Sequence, residues 1–217
     1  MPAETFKTDL AKRICEEYKG STCELDYSNE FELLVAVILS AQCTDKRVNQ
    51  VTKNLFKVLK TPKDFAEVNK VRLEELIRPC GFYHAKAKNI IDCAKDIVSR
   101  FNGVVPSNKK DLKSLAGVGE KTANVMLATV FNTPAIAVDT HVFRVSRRLG
   151  LAKGKTVSEV QACLEKLPKE LWANTHFSLV LHGRRVCKAR KPMCEECKFN
   201  DACKYNKEIK NKNNGKI

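Results

Sequence analysis

Three groups of residues in this chain have the types and spacing to do chemistry. The first is Cys187-x6-Cys194-x2-Cys197-x5-Cys203, four thiols within 17 residues, interleaved with Lys188, Arg190, Lys191 and Lys198. Crowding of this kind is a metal-site distribution rather than a disulfide framework. Structural zinc sites ordinarily pair two Cys-x2-4-Cys knuckles, and these unequal gaps fit that pattern poorly. They also differ from the ferredoxin spacings. The interval between Cys187 and Cys194 is a loop tethered at both ends that carries Lys188, Arg190 and Lys191, so it can present charge to phosphate at low ordering cost.

The second group is Leu115-Ala-Gly117-Val118-Gly119-Glu-Lys121-Thr122-Ala123. Two glycines free the backbone to turn sharply and to approach another surface, and the helix that follows points unpaired N–H groups outward. A turn built from Gly117, Val118 and Gly119 with Thr122 behind it can hold a phosphate. No strand precedes it and a third glycine is missing, which speaks against a dinucleotide fingerprint. An ordinary helix-to-helix connection has the same look. Lys121 falls in the first turn of the second helix, where the positive end of the helix dipole disfavours a cation and leaves more neutral amine to act as a nucleophile. A lysine in a basic protein is otherwise simply solvated. The third group is Asp139, ahead of Thr140-His141. It can cap a helix and, at a ligand cleft, can also face developing positive charge.

The elements that position these groups are helical from end to end. Phe6, Leu10, Ile14 and Tyr18 repeat every four residues before Gly20. Residues 31–39 are almost continuously apolar, as expected of a central buried helix. Val48, Val51, Leu55 and Leu59 form a stripe, and Thr61-Pro62 offers an N-cap with proline at the first helical position. Ala87, Ile90, Ile91, Ala94, Ile97, Val98 and Phe101 share a face that ends at Gly103. Ser107 is expected to cap the next helix, and Thr156 with Glu159 makes a capping box for a later one. After Tyr205 apolar periodicity is lost, so a frayed basic tail is expected. The fold class is all-α.

The chain has 217 residues, 43% hydrophobic and 29% charged, a globular composition long enough for one large or two small domains. Lys and Arg number 39 against 25 Asp and Glu, a formal charge of +14 that favours a polyanionic partner. No apolar run approaches the roughly 18 residues of a membrane span, and no secretory signal is visible, so an intracellular protein is expected. The six scattered cysteines (Cys15, Cys23, Cys43, Cys80, Cys93, Cys163) are expected to be reduced and buried.

The glycine turn with Lys121-Thr122-Ala123, followed by Ala137-Val138-Asp139-Thr140-His141-Val142-x-Arg144-Val145, resembles the helix-hairpin-helix and Gly/Pro-Asp segment of the endonuclease III family. Leu39-Ser-Ala-Gln42-Cys43-Thr-Asp45 and the cysteine spacing extend the resemblance over nearly the whole chain. It implies two helical domains: a six-helix barrel at about 25–134, with the helix-hairpin-helix at about 108–127, and an iron–sulfur cluster domain from residues 1–24 plus 135–217. A DNA-binding cleft is expected between them. The resemblance implies Lys121 as nucleophile, Asp139 as essential carboxylate, and a [4Fe-4S] cluster on Cys187, Cys194, Cys197 and Cys203. Gln42 corresponds to the residue that fills the gap left by a flipped base, and Phe82 falls where the family often has an aliphatic wedge.

The implied activity is a bifunctional DNA glycosylase and AP lyase of base excision repair, acting as a monomer on double-stranded DNA with oxidised pyrimidines or abasic sites. An adenine-mismatch-type monofunctional glycosylase shares the cysteine cluster but usually lacks the lysine and adds a C-terminal domain. A non-catalytic, metal-stapled DNA-binding module would make Lys121 and Asp139 incidental. The absence of an N-terminal extension points to a prokaryotic host. Electrostatics should dominate duplex binding: with Z phosphates contacted, log K falls with log salt at a slope of about −0.9Z, and Lys191→Ala flattens that slope by about one unit. Titrations at several salt concentrations measure it, and a flat dependence contradicts the reading.

Overall fold

The computed structural model describes residues 3–214 and is all-helical, with no strand among those residues. The chain forms two compact units, residues 23–133 and residues 1–22 with 134–217.

The first unit is organised by α2 (Glu30–Ser40), whose residues 33–39 are all buried. Asn29 starts it by accepting from the Glu32 N–H at 2.9 Å, while the Glu32 carboxylate accepts from the Ser28 N–H at 2.7 Å. A helix apolar on all sides needs neighbours on all sides. These are α3 (Asp45–Val58), α6 (Tyr83–Arg100) and α8 (Glu120–Thr129). Around them lie α4 (Pro62–Glu67), α5 (Lys70–Ile77), a 3₁₀ turn (Arg78–Cys80) and α7 (Lys109–Lys113). Thr61 caps α4 with Pro62 at the first helical position, and Asp64 completes a capping box. α7 is capped by Asn108 rather than Ser107: the Asn108 carboxamide accepts from the Asp111 N–H at 2.9 Å, leaving Ser107 one residue outside the helix. The long α6 buries Ala87, Ile90, Ile91, Ala94 and Ile97, but Val98 is 37% exposed, and near the start of the helix Lys86 is buried as well.

In the second unit α1 (Ala3–Glu17) and α9 (Thr140–Leu149) pack on α11 (Trp172–Arg185), flanked by α10 (Val157–Leu164) and a 3₁₀ turn (Lys169–Leu171). The Thr156–Glu159 capping box is present at the start of α10. Gly183 permits the approach of α9 and α11, since a Cβ there would stand 2.9 Å from His141 Nδ1 and 3.0 Å from His141 Cβ. The segment after Tyr205, expected to fray, instead continues α12 (Lys204–Asn214). Its first turn is anchored rather than amphipathic: the Arg148 guanidinium lies 4.5 Å from the Tyr205 ring centre, and Asn206 is buried against Asn200. The rest of the tail lies outside the described residues. All ten cysteines are free, but of the six scattered ones only Cys80 and Cys93 are fully buried; Cys15, Cys23, Cys43 and Cys163 are half-exposed because each lies at the edge of a helix face or in a connection.

Leu34 is wholly buried at the centre of α2, so Leu34→Ala should cost roughly 2–5 kcal/mol of stability. Chemical denaturation reads this directly, and a loss well under the lower figure would remove α2 from its organising place.

Candidate functional site

The glycine turn lies in the first unit and is built from the inside out. Leu112, Leu115 and Val118 are buried, and the Val118 N–H donates to the Leu115 carbonyl at 3.2 Å, closing the turn. Gly117 has φ +77°, and a Cβ there would meet the Asn89 Cβ at 3.0 Å, so conformation and close approach both require glycine. Gly119 is the N-cap of α8, contributes no side-chain hydrogen bond and faces open space. The first N–H groups of α8 therefore have no side-chain cap from Gly119. Beyond them residues 123–127 are buried and hold the helix in place. Glu120 is ion-paired with Lys109 and, at 2.9 Å, with Lys113. Lys121 beside it is exposed, and no hydrogen bond or ion pair among the described residues engages its amine. Thr122 is half-buried.

Asp139 belongs to the second unit. Residues 135–138 ahead of it are buried without being helical, and His176 Nδ1 donates to the Ala137 carbonyl at 2.8 Å. That anchor delivers Asp139 to the start of α9, where one carboxylate oxygen accepts from the Val142 N–H at 2.7 Å. Asp139 thus caps the helix, and it remains half-exposed. Burial pulls the neighbouring His141 imidazolium below its ordinary range, against the Asp139 carboxylate that favours its charge.

The four clustered cysteines line one cavity, walled also by Leu149, His182, Val186 and Met193. Burial, reinforced by the neighbouring sulfurs, raises the thiols of Cys194, Cys197 and Cys203. No group of three or more His, Cys, Asp or Glu among the described residues converges on the position of a single ion. Two arginines of α9 hold the loop that starts the cluster. Arg144 donates to the Cys187 carbonyl at 3.1 Å and to the Gly183 carbonyl at 3.0 Å. Arg148 donates to the carbonyls of Lys188 at 2.7 Å and Ala189 at 3.1 Å, and stands 3.5 Å from the Cys187 sulfur. Tied in this way, the loop leaves Lys188, Arg190 and Lys191 exposed, with Lys191 at φ 51°.

Sequence reasoning missed His182, whose Nε2 is 3.7 Å from the Cys197 sulfur and whose Nδ1 is 2.8 Å from the Tyr18 hydroxyl. Burial draws its imidazolium down to about 4, so the ring is neutral at pH 7. A histidine five residues before the first cysteine was the available signal. Lys86 was missed as well, although it keeps the register of Ile90, Cys93 and Ile97 on the buried face of α6. It is 5% exposed, and its ammonium donates to the carbonyls of Leu39 and Cys80, each at 2.9 Å. Gln42 is exposed at φ 53°, and Phe82 is 67% exposed at φ 47°.

Residues 35–170 match the family model described as HhH-GPD superfamily base excision DNA repair protein. The chain is 45% identical over 207 residues to Endonuclease III of Haemophilus influenzae, covering 95% of this chain and 98% of that protein. Among solved structures, a non-covalent Endonuclease III–DNA complex superposes with a TM-score of 0.88 at 43% identity, covering 94% of this chain and 96% of that one. A trapped Endonuclease III–DNA covalent intermediate superposes with a TM-score of 0.89 at 42% identity, covering 94% and 98%.

Proposed function

Because the chain belongs to the endonuclease III family within the HhH-GPD superfamily of base excision DNA repair proteins, we propose that it is a bifunctional DNA glycosylase and AP lyase. Its partner is double-stranded DNA, and oxidised pyrimidines and abasic sites are its substrates. The observation that carries the catalytic assignment is the contrast at the start of α8. Glu120 is claimed by two lysines, while the adjacent Lys121 amine is exposed and engaged by no described partner.

Lys121 serves as the nucleophile. In its neutral form the amine attacks C1′ of the damaged nucleotide, and the bond from C1′ to the base nitrogen breaks with its electron pair leaving on the base, which takes up a proton. Loss of the ring oxygen bond gives a Schiff base between the Lys121 nitrogen and C1′. Removal of a C2′ proton then expels the 3′ phosphate by β-elimination. Asp139 stabilises positive charge at C1′ and assists these proton movements. Its hydrogen bond from the Val142 N–H fixes one oxygen and leaves the half-exposed carboxylate available for this task.

Gly117, Val118 and Gly119 bind phosphate through the backbone of the turn and the open amino end of α8, with Thr122 in the same turn. Lys188, Arg190 and Lys191 add phosphate contacts from a loop whose backbone is already ordered by Arg144 and Arg148. Gln42 fills the gap left by the extruded base.

Cys187, Cys194, Cys197 and Cys203 would hold a [4Fe-4S] cluster, which would supply a structural staple for residues 187–203 with no redox step in base removal. The donor set fits: four thiols line one cavity, and cysteine thiolates are the donors that hold iron–sulfur clusters.

Borohydride added during turnover should cross-link the wild-type protein to abasic DNA. Lys121→Gln should abolish both the cross-link and strand cleavage while sparing most of the binding, since one lost phosphate contact weakens affinity only modestly. Asp139→Asn should keep the cross-link and slow its formation. Trapping by Lys121→Gln at near the wild-type rate would move the nucleophile to another amine. For the cofactor, Cys194→Ser should lose iron and lower the melting temperature; full iron content with an unchanged transition would reject Cys194 as a ligand.

A further inference from the structure

Two carbonyls that close different helices in the first unit are held by one buried ammonium. Leu39 ends the buried run of α2 and Cys80 ends the 3₁₀ turn, and Lys86 Nζ donates to both at 2.9 Å. The last carbonyls of a helix carry its partial negative charge, so a cation suits each of them. A lysine 5% exposed cannot exchange these partners for bulk water. If the two helix ends drift apart, a buried cation loses an acceptor. The coupling of the two ends is therefore built into the lysine.

What each end carries gives the coupling its meaning. Gln42 follows Leu39 by three residues and Phe82 follows Cys80 by two. Both have left-handed backbones, φ 53° and 47°, and both are exposed. The other non-glycine residues with positive φ among those described are Asn102, Asn132 and Lys191, and asparagine tolerates that conformation where glutamine and phenylalanine do so less readily. Bulky residues persist there when their surroundings over-determine them. The local bonds are present: the Cys43 N–H donates to Ser40 O at 3.0 Å, and the Lys86 N–H donates to Phe82 O at 3.1 Å. Phe82, a large aromatic residue, is 67% exposed. An exposed apolar side chain can wedge a base stack, and a polar one can take the place of an extruded base.

We propose that Lys86 is a positioning residue for base extrusion: by tying Leu39 to Cys80 it sets the spacing of Gln42 and Phe82, the polar gap-filler and the aromatic wedge. This inference rests on the glycosylase reading above. It assigns Lys86 no contact with DNA. Its task is to keep two side chains on separate segments at one fixed separation, so that filling the gap and wedging the stack occur together. Burial lowers the Lys86 ammonium from its ordinary range, opposed in part by the sulfurs of Cys43 and Cys80 beside it.

The test compares one lesion in two settings, an oxidised pyrimidine (thymine glycol) paired within a duplex and the same base in a single-nucleotide bulge, where it is already unpaired. Under single-turnover conditions Lys86→Met should excise the paired lesion about tenfold more slowly than wild type, and the bulged lesion within about twofold of it, because an unpaired base needs little extrusion. Phe82→Ala should show the same dependence on setting. Combining it with Lys86→Met should slow paired excision no further than the worse single variant, as expected for residues acting as one unit. Lys86→Gln, which keeps a donor, should fall between wild type and Lys86→Met and replaces it if Lys86→Met does not fold. Equal slowing on both substrates by a folded variant, no slowing on either, fully additive effects with Phe82→Ala, or failure of both Lys86 variants to fold would each overturn the proposal. A wild-type protein that excises neither lesion overturns the glycosylase reading, and this inference with it.

Discussion

Every α-helix leaves backbone N–H groups at its start and carbonyls at its end without partners, and a fold made of many short helices multiplies that demand. Twelve α-helices occur among residues 3–214, and how their ends are satisfied explains much of the molecule. At most starts a side chain answers the demand: Asn29, Thr44, Thr61, Asn69, Asn108 and Thr156 each accept from a first-turn N–H. Each such cap is worth about 1 kcal/mol, enough for the caps together to hold elements of five to fourteen residues that would not persist alone. The residues proposed to act lie where this pattern changes. Gly119 leaves the start of α8 without a side-chain cap, Asp139 caps α9 with a charged group that stays half-exposed, and Lys86 serves two ends at once.

Charge is distributed by the same logic. The net charge of +14 makes the surface attractive to a polyanion, but position decides which cations are available. Lys109 and Lys113 are spent on Glu120, Arg144 and Arg148 on backbone carbonyls around Cys187, and Lys86 on the ends of two helices. Lys121, Lys188, Arg190 and Lys191 keep exposed side chains. The paired cations order the backbone from which the exposed ones project. This arrangement separates the field that draws in DNA from the groups proposed to orient it or react with it.

The helical class, the buried α2 and the Thr61 and Thr156 caps were legible in the sequence because each rests on local spacing: a run of apolar residues, a cap three positions from its partner. The gathering of four thiols in one short segment was equally legible, and the fold brings them to one cavity. Lys121 and Asp139 became candidates only through the company of Gly117, Gly119 and the residues after Asp139, since a lone lysine or aspartate in a basic chain carries no signal. The errors were also local ones. Ser107 and Asn108 are both good caps, and only the folded backbone selects between them. The segment after Tyr205 has no apolar stripe, yet it forms α12 because Arg148 and Asn200, distant in sequence, anchor its first turn.

By itself the sequence determined the helical class, the main helical segments before Tyr205 and which residue types are gathered for chemistry, because periodicity, capping and cysteine spacing act over a few neighbouring positions. Only the tertiary structure decided that Lys86 is inside, that it joins Leu39 to Cys80, that His182 lies beside Cys197, and that His176 holds the backbone ahead of Asp139. The partners in these contacts lie between 6 and 47 positions apart. Each is a hydrogen bond between a buried polar group and a partner brought to it by helix packing, and no pattern of neighbouring residues encodes which carbonyl or sulfur packing will deliver.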